Sequence, residues 1–196
     1  MKILVTGAKG FIGKNLISEL KNRGYNDILE FDIETDVRAL AEYAQRCEFV
    51  YHLAGINRPE DPKEFMKGNF GLTFILLNSL KKHNNLAPVL ITSSIQADLD
   101  NPYALSKKAG EDLLFTYGQE TGSRVLVYRL PNVFGKWCRP NYNSAVATFC
   151  HNIAHGLPIK VNDPNVMMNL VYIDDVVSEF IQALNSNENK QDNFCY

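Results

Sequence analysis

A glycine-rich turn directly after an apolar run constrains the fold of this chain more than any other feature. The segment from Thr6 to Gly13, TGAKGFIG, follows the strand-like run KILVT and precedes a stretch of helical periodicity. Glycines at three-residue spacing let the backbone turn tightly and approach a pyrophosphate, because no Cβ atom intervenes. The amides and the positive dipole end of the following helix then attract phosphate groups. A purely structural turn is the alternative explanation.

The surroundings of this turn predict a dinucleotide site. Asp32 ends the next apolar run, 19 residues past Gly13, where a carboxylate can accept a hydrogen bond from a ribose hydroxyl. Asp32 repels a 2′-phosphate and favours NAD, whereas Lys9 can neutralise that phosphate and favours NADP, so NAD is preferred only slightly. A solvated surface lysine explains Lys9 equally well. Asp36 and Val37 are candidates for the far wall of the adenine pocket, with a helix cap as the alternative for Asp36.

Short apolar runs alternate with helical segments along the chain, a pattern typical of a parallel sheet covered by crossover helices. Strands are predicted at KILVT, ILEFD, FVYHLA, PVLITSS and RVLVYRL. Helices are predicted after the glycine turn, from Pro62 to Asn85, from near Asn101, and from Ser144 to Ala154. The predicted fold class is therefore α/β, a Rossmann-type doubly wound parallel sheet with helices on both faces. We expect a small, incomplete substrate-binding region at its C-terminal end.

Composition narrows the possible partners. The 196 residues carry a formal net charge of -2, so no basic field is available for nucleic acid. The apolar runs are shorter than the about 20 residues that span a bilayer, and the start MKILVTG lacks the features of a signal peptide. The four cysteines form no C-x-x-C pair, as expected for reduced thiols. We expect one cytoplasmic domain over residues 1–196, with residues 132–196 contributing to the substrate region, and a small-molecule ligand.

A tyrosine and a lysine four residues apart form the second candidate site. Tyr103 and Lys107 share a face of a predicted helix, so the ammonium can lower the pKa of the phenol and equip it for proton transfer. Ser94 follows the strand PVLIT near the expected cofactor crevice, where its hydroxyl can hold a reacting oxygen. The spacing alone arises often by chance, and surface residues beside a serine-rich turn are the alternative interpretation.

Two other groups are weaker candidates. His151 and His155 are one helical turn apart, but the glutamate and third ligand of a metal site are missing from the pattern, so no metal is predicted. Arg139 and Tyr142, with Trp137, lie in the segment KWCRPNYN and can hold a uracil ring and a diphosphate. Ordinary loop packing explains this second group equally well.

Taken together, these motifs resemble the extended short-chain dehydrogenase/reductase family, the NAD-dependent sugar epimerases and dehydratases. The matching elements cover essentially the whole chain: T-G-x-x-G-x-x-G at 6–13, D-V-R at 36–38, H-L-A-G at 52–55, N-x-x-G-T with its glycine shifted by one at 69–73, the Ser94, Tyr103 and Lys107 triad, and R-x-x-N-x-x-G at 129–135. Only eight residues separate Ser94 from Tyr103, fewer than in typical epimerases. Ile95 and Gln96 replace the Asp-Glu pair of the family's dehydratases, which argues against dehydration.

The resemblance implies a role for each matched residue. The implied catalytic residues are Ser94, Tyr103, Lys107 and Asn69, the last supporting a proton path through water. The implied cofactor-binding residues are Gly7, Lys9, Gly10, Phe11, Ile12, Gly13, Asp32, Asp36, Val37, Leu53, Ala54, Gly55 and Lys107. The substrate-binding candidates are Arg58, Ser94, Asn132, Arg139 and Tyr142. By the same analogy, the helices that contain Asn69 and Tyr103 pair across a homodimer.

Three segments, AGINRPEDPKEF, SSIQADLDNPYALSK and RLPNVFGKWCRPNYNSAVATFC, are similar to a narrower group of capsular-polysaccharide enzymes. In that group a reductase domain precedes a metal-binding cupin epimerase domain, and a UDP-6-deoxy-talosamine sugar is made. The similarity implies NAD(P)H-dependent reduction of a UDP-4-keto-6-deoxy-N-acetylhexosamine. It associates the reductase with NADPH, against the preference indicated by Asp32. It also implies that the cupin domain and the end of the substrate region are absent. A UDP-hexose 4-epimerase and a non-catalytic dinucleotide-binding fragment are the alternatives.

Overall fold

A mostly parallel sheet forms the centre of the computed structural model, which describes residues 1–195. Its strands are β1 (Ile3–Thr6), β2 (Ile28–Phe31), β3 (Phe49–His52), β4 (Val89–Ser94) and β5 (Val125–Leu130), and a second, two-stranded sheet pairs β6 (Asn132–Phe134) with β7 (Leu170–Tyr172). Near the C-terminus, β8 (Lys190–Gln191) and β9 (Phe194–Cys195) complete the main sheet. The strand order is β2-β1-β3-β4-β5-β9-β8, antiparallel only between β8 and β9 among the described strands. The sequence predicts that a strand begins at Phe194, Cys195 and Tyr196; β9 confirms this for Phe194 and Cys195, and Tyr196 lies outside the described residues.

Helices cover both faces of this sheet. They are α1 (Phe11–Asn22), α2 (Val37–Arg46), α3 (Lys63–Phe65), a π-helical turn (Met66–Gly71), α4 (Leu72–Lys82), α5 (Pro102–Thr121), α6 (Ala145–Ala154) and α7 (Ile173–Leu184). The predicted start of α5 is confirmed, because the Asn101 side chain accepts a hydrogen bond from the Ala104 amide and Pro102 opens the helix. Within residues 1–195, none of the helices combines the length and the apolar character that a membrane crossing requires.

Successive side chains of each strand point to opposite faces of the sheet, and this alternation produces two separate hydrophobic cores. Ile3 and Val5 of β1 face one side of the sheet, and the intervening Leu4 faces the other. The first core packs α1 and α7 against the sheet, and its buried members include Leu16, Leu20, Tyr51, Tyr128 and Phe180. The second packs α2, α4 and α5, and its buried members include Leu40, Val50, Leu76, Leu80 and Leu114. Apolar side chains on both faces therefore confirm the predicted doubly wound architecture.

The strand order places a topological switch point between β1 and β3. The chain runs from β1 through α1 to β2 on one side, and then crosses through α2 to β3 on the other. Helices on either side of this point leave a crevice at the carboxyl ends of β1 and β3, the usual ligand position in open α/β sheets. Thr6 and His52 end these two strands, and Ser94 ends the neighbouring β4.

The helix predicted from Pro62 to Asn85 is shorter and less regular in the structure. It starts at Lys63, passes through the π-helical turn at 66–71 and ends at Lys82. Asn84 adopts a φ of 51°, which terminates the helix, and the Asn85 amide group donates to the carbonyl oxygens of Ala44 and Cys47, each at 2.8 Å. The apolar periodicity of the sequence continues through the π-helical turn and past Lys82, so it predicted neither the turn nor the end of the helix.

Candidate active site

The glycine turn leaves no space for side chains at two of its positions. A Cβ atom at Gly7, whose φ is +68°, would lie 2.8 Å from the Ala54 nitrogen. A Cβ atom at Gly13 would lie 2.2 Å from the Gly7 oxygen, so α1 approaches the turn more closely than any other residue would permit. Gly10 precedes α1 and has no side chain that could cap the helix. The first amides of α1, which include those of Phe11 and Ile12, are therefore available to ligand oxygens.

Asp32 and Lys9 are brought together beside this turn. The Lys9 amide donates to Asp32 Oδ2 at 2.7 Å, and the Ile33 amide donates to Asp32 Oδ1 at 2.8 Å. The Lys9 ammonium pairs with Glu34, whose hydrogen bond and charge raise the pKa of Lys9. Glu34 is not among the residues predicted for the site, although its carboxylate, two residues after Asp32, is a signal visible in the sequence. The charge that was expected to favour NADP is therefore compensated.

Asp36 caps α2. Its side chain accepts a hydrogen bond from the Arg38 amide at 2.9 Å, and the Asp36 carboxylate also pairs with the Arg38 guanidinium. Val37 is the first residue of α2 and is exposed. Of the two interpretations given to Asp36, the structure therefore shows the helix cap.

The residues that follow β3 line the other side of the crevice. The Ala54 amide donates to the Thr6 hydroxyl at 3.2 Å, and Leu53 packs against the core beneath α1. A Cβ atom at Gly55 would lie 3.0 Å from Asn69 Oδ1 and 3.1 Å from Lys107 Nζ. The segment 53–55 therefore passes between the glycine turn and the second candidate site.

Ser94, Tyr103 and Lys107 converge at the carboxyl end of β4. Ser94 is the last residue of β4 and is buried, while Tyr103 and Lys107 are partly buried on the first two turns of α5. The Lys107 ammonium donates to the Thr92 carbonyl at 3.2 Å and lies 6.0 Å from the centroid of the Tyr103 ring. The structure thus assembles the predicted triad beside the crevice.

Two pKa values in this group are perturbed. Burial raises the pKa of Tyr103, and the nearby Ser94 hydroxyl partly opposes this shift. Burial lowers the pKa of Lys107 to about 8, against the opposing charge of Glu111. Lys107 was expected to lower the pKa of Tyr103, but that pKa is raised, because the effect of burial outweighs the opposing hydrogen bond with Ser94.

Asn69 is buried in the π-helical turn and is committed to the polypeptide. Its Oδ1 accepts from the Ile56 amide at 2.8 Å, and its Nδ2 donates to the Ser106 hydroxyl at 2.9 Å. Ser106 in turn donates to the Tyr103 carbonyl at 2.7 Å. Asn69 therefore connects the segment after β3 to the first turn of α5, and π-helical turns of this kind are frequent at functional sites.

His52 is a buried polar residue that is not among the residues predicted for the site. Its Nδ1 lies 2.7 Å from the Thr6 hydroxyl, and its Nε2 lies 2.8 Å from the Thr73 hydroxyl. Burial and the charge of Lys107 lower its pKa to about 3, so the ring is neutral. The histidine of the H-L-A-G motif was the available signal. His52 links the end of β1 to α4, which follows Asn69.

The substrate-side candidates lie in three different segments. Arg139 is exposed, with its guanidinium carbon 5.3 Å from the centroid of the Tyr142 ring, so this pair is brought together as predicted. The side-chain nitrogen of Asn132 donates to the Asn169 carbonyl at 3.3 Å, at the start of the small β6–β7 sheet. Arg58 is exposed in the segment after β3.

The histidine pair lies at the end of α6, with its ring centroids 4.2 Å apart. His155 Nδ1 lies 2.7 Å from the His151 carbonyl oxygen. Within residues 1–195, no three His, Cys, Asp or Glu side chains are grouped as metal ligands.

The fold and this convergent group define a Rossmann-type short-chain dehydrogenase/reductase domain. Residues 3–194 match the model of the NAD dependent epimerase/dehydratase family, and the chain belongs to that family. The resemblance that the motifs indicated is therefore confirmed.

Individual relatives agree with this assignment. The chain is 50% identical over 184 residues to the UDP-2-acetamido-2,6-beta-L-arabino-hexul-4-ose reductase of Pseudomonas aeruginosa. This alignment covers 94% of this chain and 50% of the reductase. The crystal structure of the capsular polysaccharide assembling protein CapF from Staphylococcus aureus superimposes with a TM-score of 0.89 at 44% identity, covering 99% of this chain and 53% of CapF. The crystal structure of the UDP-glucuronic acid 4-epimerase of Bacillus cereus in complex with NAD superimposes with a TM-score of 0.83 at 25% identity. This superposition covers 97% of this chain and 75% of the epimerase. The chain thus spans about half the length of the first two relatives.

Proposed function

We propose that this chain is an NAD(P)H-dependent reductase of a UDP-4-keto-6-deoxy-N-acetylhexosamine, acting in the synthesis of a surface polysaccharide. The observation that carries the proposal is the 50% identity to a reductase whose name specifies a UDP-linked 2-acetamido-hexul-4-ose. The similarity to CapF, a capsular polysaccharide assembling protein, supports the same substrate class. The convergence of Ser94, Tyr103 and Lys107 supplies the groups that carbonyl reduction requires.

The residues at the crevice fit a dinucleotide. Close approach at Gly7 and Gly13 leaves a side-chain-free cradle, and the uncapped amides of α1 face it. We assign phosphate contacts to Gly10, Phe11 and Ile12, and ribose or adenine contacts to Asp32 and Val37. Leu53, Ala54 and Gly55 form the wall between this cradle and Lys107.

The hydride for reduction of the keto carbon would come from a nicotinamide held in this cradle. Tyr103 then donates its phenolic proton to the carbonyl oxygen as that oxygen gains charge, and Ser94 holds the same oxygen by a hydrogen bond. The raised pKa of Tyr103 keeps the phenol protonated, so the proton to be donated is present. Lys107 places a positive charge beside the developing alkoxide, while Asn69 holds the first turn of α5 in position.

On cofactor choice, the rim of the crevice favours NADH. Asp32 and Glu34 supply two carboxylates where a 2′-phosphate would lie, and the Lys9 charge is already paired with Glu34. We expect Asp32→Ala to gain affinity for NADPH, measured by quenching of protein fluorescence against NADH. The Glu48→Ala variant removes a carboxylate from the opposite end of β3 and is the control. Unchanged NADPH affinity in Asp32→Ala would place Asp32 away from the ribose.

We further propose that Arg139 and Arg58 bind the diphosphate of the sugar nucleotide and that Tyr142 and Asn132 contact its uridine or sugar. The exposed guanidinium of Arg139 beside the Tyr142 ring supports this assignment, since bidentate donors and aromatic faces suit phosphates and bases. Pairing of α4 and α5 in a homodimer is a proposal by family analogy, and exposed Phe74, Ile75 and Leu105 on these helices support it.

The decisive experiment is loss of NADH absorbance with the UDP-4-keto sugar in Tyr103→Phe. We expect kcat to fall about 10²- to 10⁴-fold, the usual contribution of a positioned general acid, with NADH binding retained. Tyr43→Phe, a partly buried tyrosine on α2, is the matched control. Unchanged turnover in Tyr103→Phe would refute the mechanism.

A 4-epimerase is the second candidate, since the same group of residues serves that reaction and UDP-glucuronate 4-epimerase 1 of Arabidopsis thaliana is 28% identical. Tightly held NAD that is recycled without net oxidation would favour it. Binding of dinucleotide but not of UDP-sugar, measured by calorimetry, would instead indicate a non-catalytic fragment.

A further inference from the structure

A buried ion-pair network lies directly behind the proposed catalytic group. Glu111 is fully buried on α5, one turn beyond Lys107. Its Oε1 accepts hydrogen bonds from Arg129 Nε at 2.9 Å and from the Ser93 hydroxyl at 2.5 Å, and its Oε2 accepts from Arg129 Nη2 at 2.7 Å. The carboxylate is therefore held on both oxygens, by a strand residue adjacent to Ser94 and by a residue of β5.

Arg129 extends this network to two further segments. Its guanidinium donates to Asp98 at 2.5 Å and 3.1 Å, and Asp98 lies in the short connection 95–101 between Ser94 and α5. The guanidinium carbon also lies 4.1 Å from the centroid of the Phe194 ring on β9. The Arg129 side chain thus contacts α5, the 95–101 connection and β9 directly, and it is linked to the end of β4 through Glu111 and Ser93.

Stability alone is a weak explanation for this arrangement. Removing two charges from water carries a large desolvation penalty, and well-packed apolar residues often replace such pairs without loss of stability. The planar fork of Arg129 instead provides fixed geometry, because a bidentate pair defines both distance and orientation. The elements fixed by it carry Ser94, Tyr103 and Lys107.

We propose that Glu111 and Arg129 are positioning residues of the active site, which fix Ser94 and the 95–101 connection against α5 and place a negative charge behind Lys107. This inference rests on the proposed function in that the positioned residues are those assigned to carbonyl reduction. Neither side chain touches the reacting atoms.

The surroundings of Lys107 define what this negative charge does. Tyr103 and Glu111 face it from α5, and neutral His52 faces it from β3. Thr92 of β4 accepts its hydrogen bond, and Asn69 of the π-helical turn lines the same cavity; both of these residues are uncharged. Burial favours the neutral amine of Lys107, and the Glu111 carboxylate favours the ammonium. Removing the Glu111 carboxylate leaves Arg129 paired only with the largely exposed Asp98, so the positive charge of Arg129 is less fully balanced and disfavours the Lys107 ammonium further.

The test compares Glu111→Gln with Glu120→Gln in the full chain. Glu120 lies on the same helix and pairs with Lys81 at the surface, so its loss controls for removal of one charge from α5. Two readouts are taken: titration of Lys107 by NMR of labelled lysine side chains, assigned with Lys107→Met, and the pH profile of kcat. We expect Glu111→Gln to move the titration of Lys107 to lower pH by about one unit, which is a tenfold decrease in the affinity of Lys107 for a proton. The alkaline limb of the kcat profile is expected to move by the same amount. Glu120→Gln is expected to move neither.

The outcomes separate this inference from the proposed function. An unshifted Lys107 titration in folded Glu111→Gln overturns the inference, and this measurement needs no substrate. Full turnover in Tyr103→Phe overturns the proposed function and leaves the NMR result intact. Glu111→Asp retains the charge and is expected to restore the Lys107 titration toward that of the original chain.

If Glu111→Gln does not fold, Asp98→Asn tests the other role proposed for the network, which is to fix the 95–101 connection against α5. It leaves the Glu111 pair in place and is expected to raise KM several-fold without moving the Lys107 titration, whereas an unchanged KM overturns the role assigned to the connection.

Discussion

Replacing Gly13 by alanine is expected to damage the cofactor cradle while leaving the chain folded. The added Cβ atom would lie 2.2 Å from the Gly7 oxygen and 2.9 Å from the Ala8 oxygen. Both contacts are with backbone atoms, so rotation of a side chain cannot relieve them. The start of α1 must therefore move away from the turn by more than about 1 Å to restore ordinary contact distances.

The magnitude follows from two opposing effects. Overpacking of this kind costs about 1–3 kcal/mol, and alanine recovers up to about 1 kcal/mol of intrinsic helix stability relative to glycine. We expect a net loss of about 1–2 kcal/mol in the free energy of unfolding. Displacement of the α1 amides from the phosphates is expected to weaken dinucleotide binding about tenfold or more, equivalent to about 1.4 kcal/mol.

Gly24→Ala is the matched control. Gly24 has a φ of +88°, and none of the described residues lies within 4 Å of a Cβ atom built there. This variant therefore carries only the left-handed backbone penalty of about 1–2 kcal/mol, at the far end of α1. Urea denaturation measures stability, and NADH fluorescence measures binding. Similar destabilisation with weakened binding only in Gly13→Ala supports the cradle, and equal dissociation constants in the two variants would refute it.

Two other predictions concern the buried polar groups. His52 has a pKa of about 3 when folded and about 6.5 when unfolded, so protonation favours unfolding and stability falls as pH drops below about 6.5. Protonation of His52 should lower the free energy of unfolding by about 2 kcal/mol at pH 5. In urea denaturation, the free energy of unfolding of His52→Asn should therefore decline less steeply from pH 7 to pH 5. An identical decline would contradict it. The Tyr51 hydroxyl donates to the Phe180 carbonyl at 2.8 Å, so Tyr51→Phe removes a buried hydrogen bond between β3 and α7 and should lower the free energy of unfolding by about 0.5–1.5 kcal/mol in thermal denaturation. Tyr25→Phe is the control, because Tyr25 is only partly buried and its hydroxyl donates to Asn185 Oδ1 at 3.3 Å, and equal stability of the two variants would argue against this contribution.

Much of the architecture was predictable because its signals are local. The five long strands, the start of α1 after the glycine turn and the Asn101 cap of α5 all depend on neighbouring residues. The boundaries of the 62–85 helix were not predictable in the same way. Its apolar spacing continues through the π-helical turn, which is stabilised by bonds from Asn69 to Ile56 and Ser106. These partners are 13 and 37 residues away in sequence.

By itself, the sequence determined the fold class, the glycine cradle and the identity of the Ser94, Tyr103 and Lys107 group, because periodicity and motif spacing are encoded within single segments. The tertiary structure alone decided the electrostatics. The order of the strands lets Arg129 of β5 pair with Glu111 of α5. The pairing of β1 with β2 places Lys9, in the glycine turn, beside Glu34, which follows β2. It is burial, created only when the two cores close, that shifts the pKa values of Tyr103 and Lys107. Folding removes the water around Arg129 and Glu111, which strengthens their attraction, whereas the Lys9–Glu34 pair is brought together by folding but stays exposed to solvent.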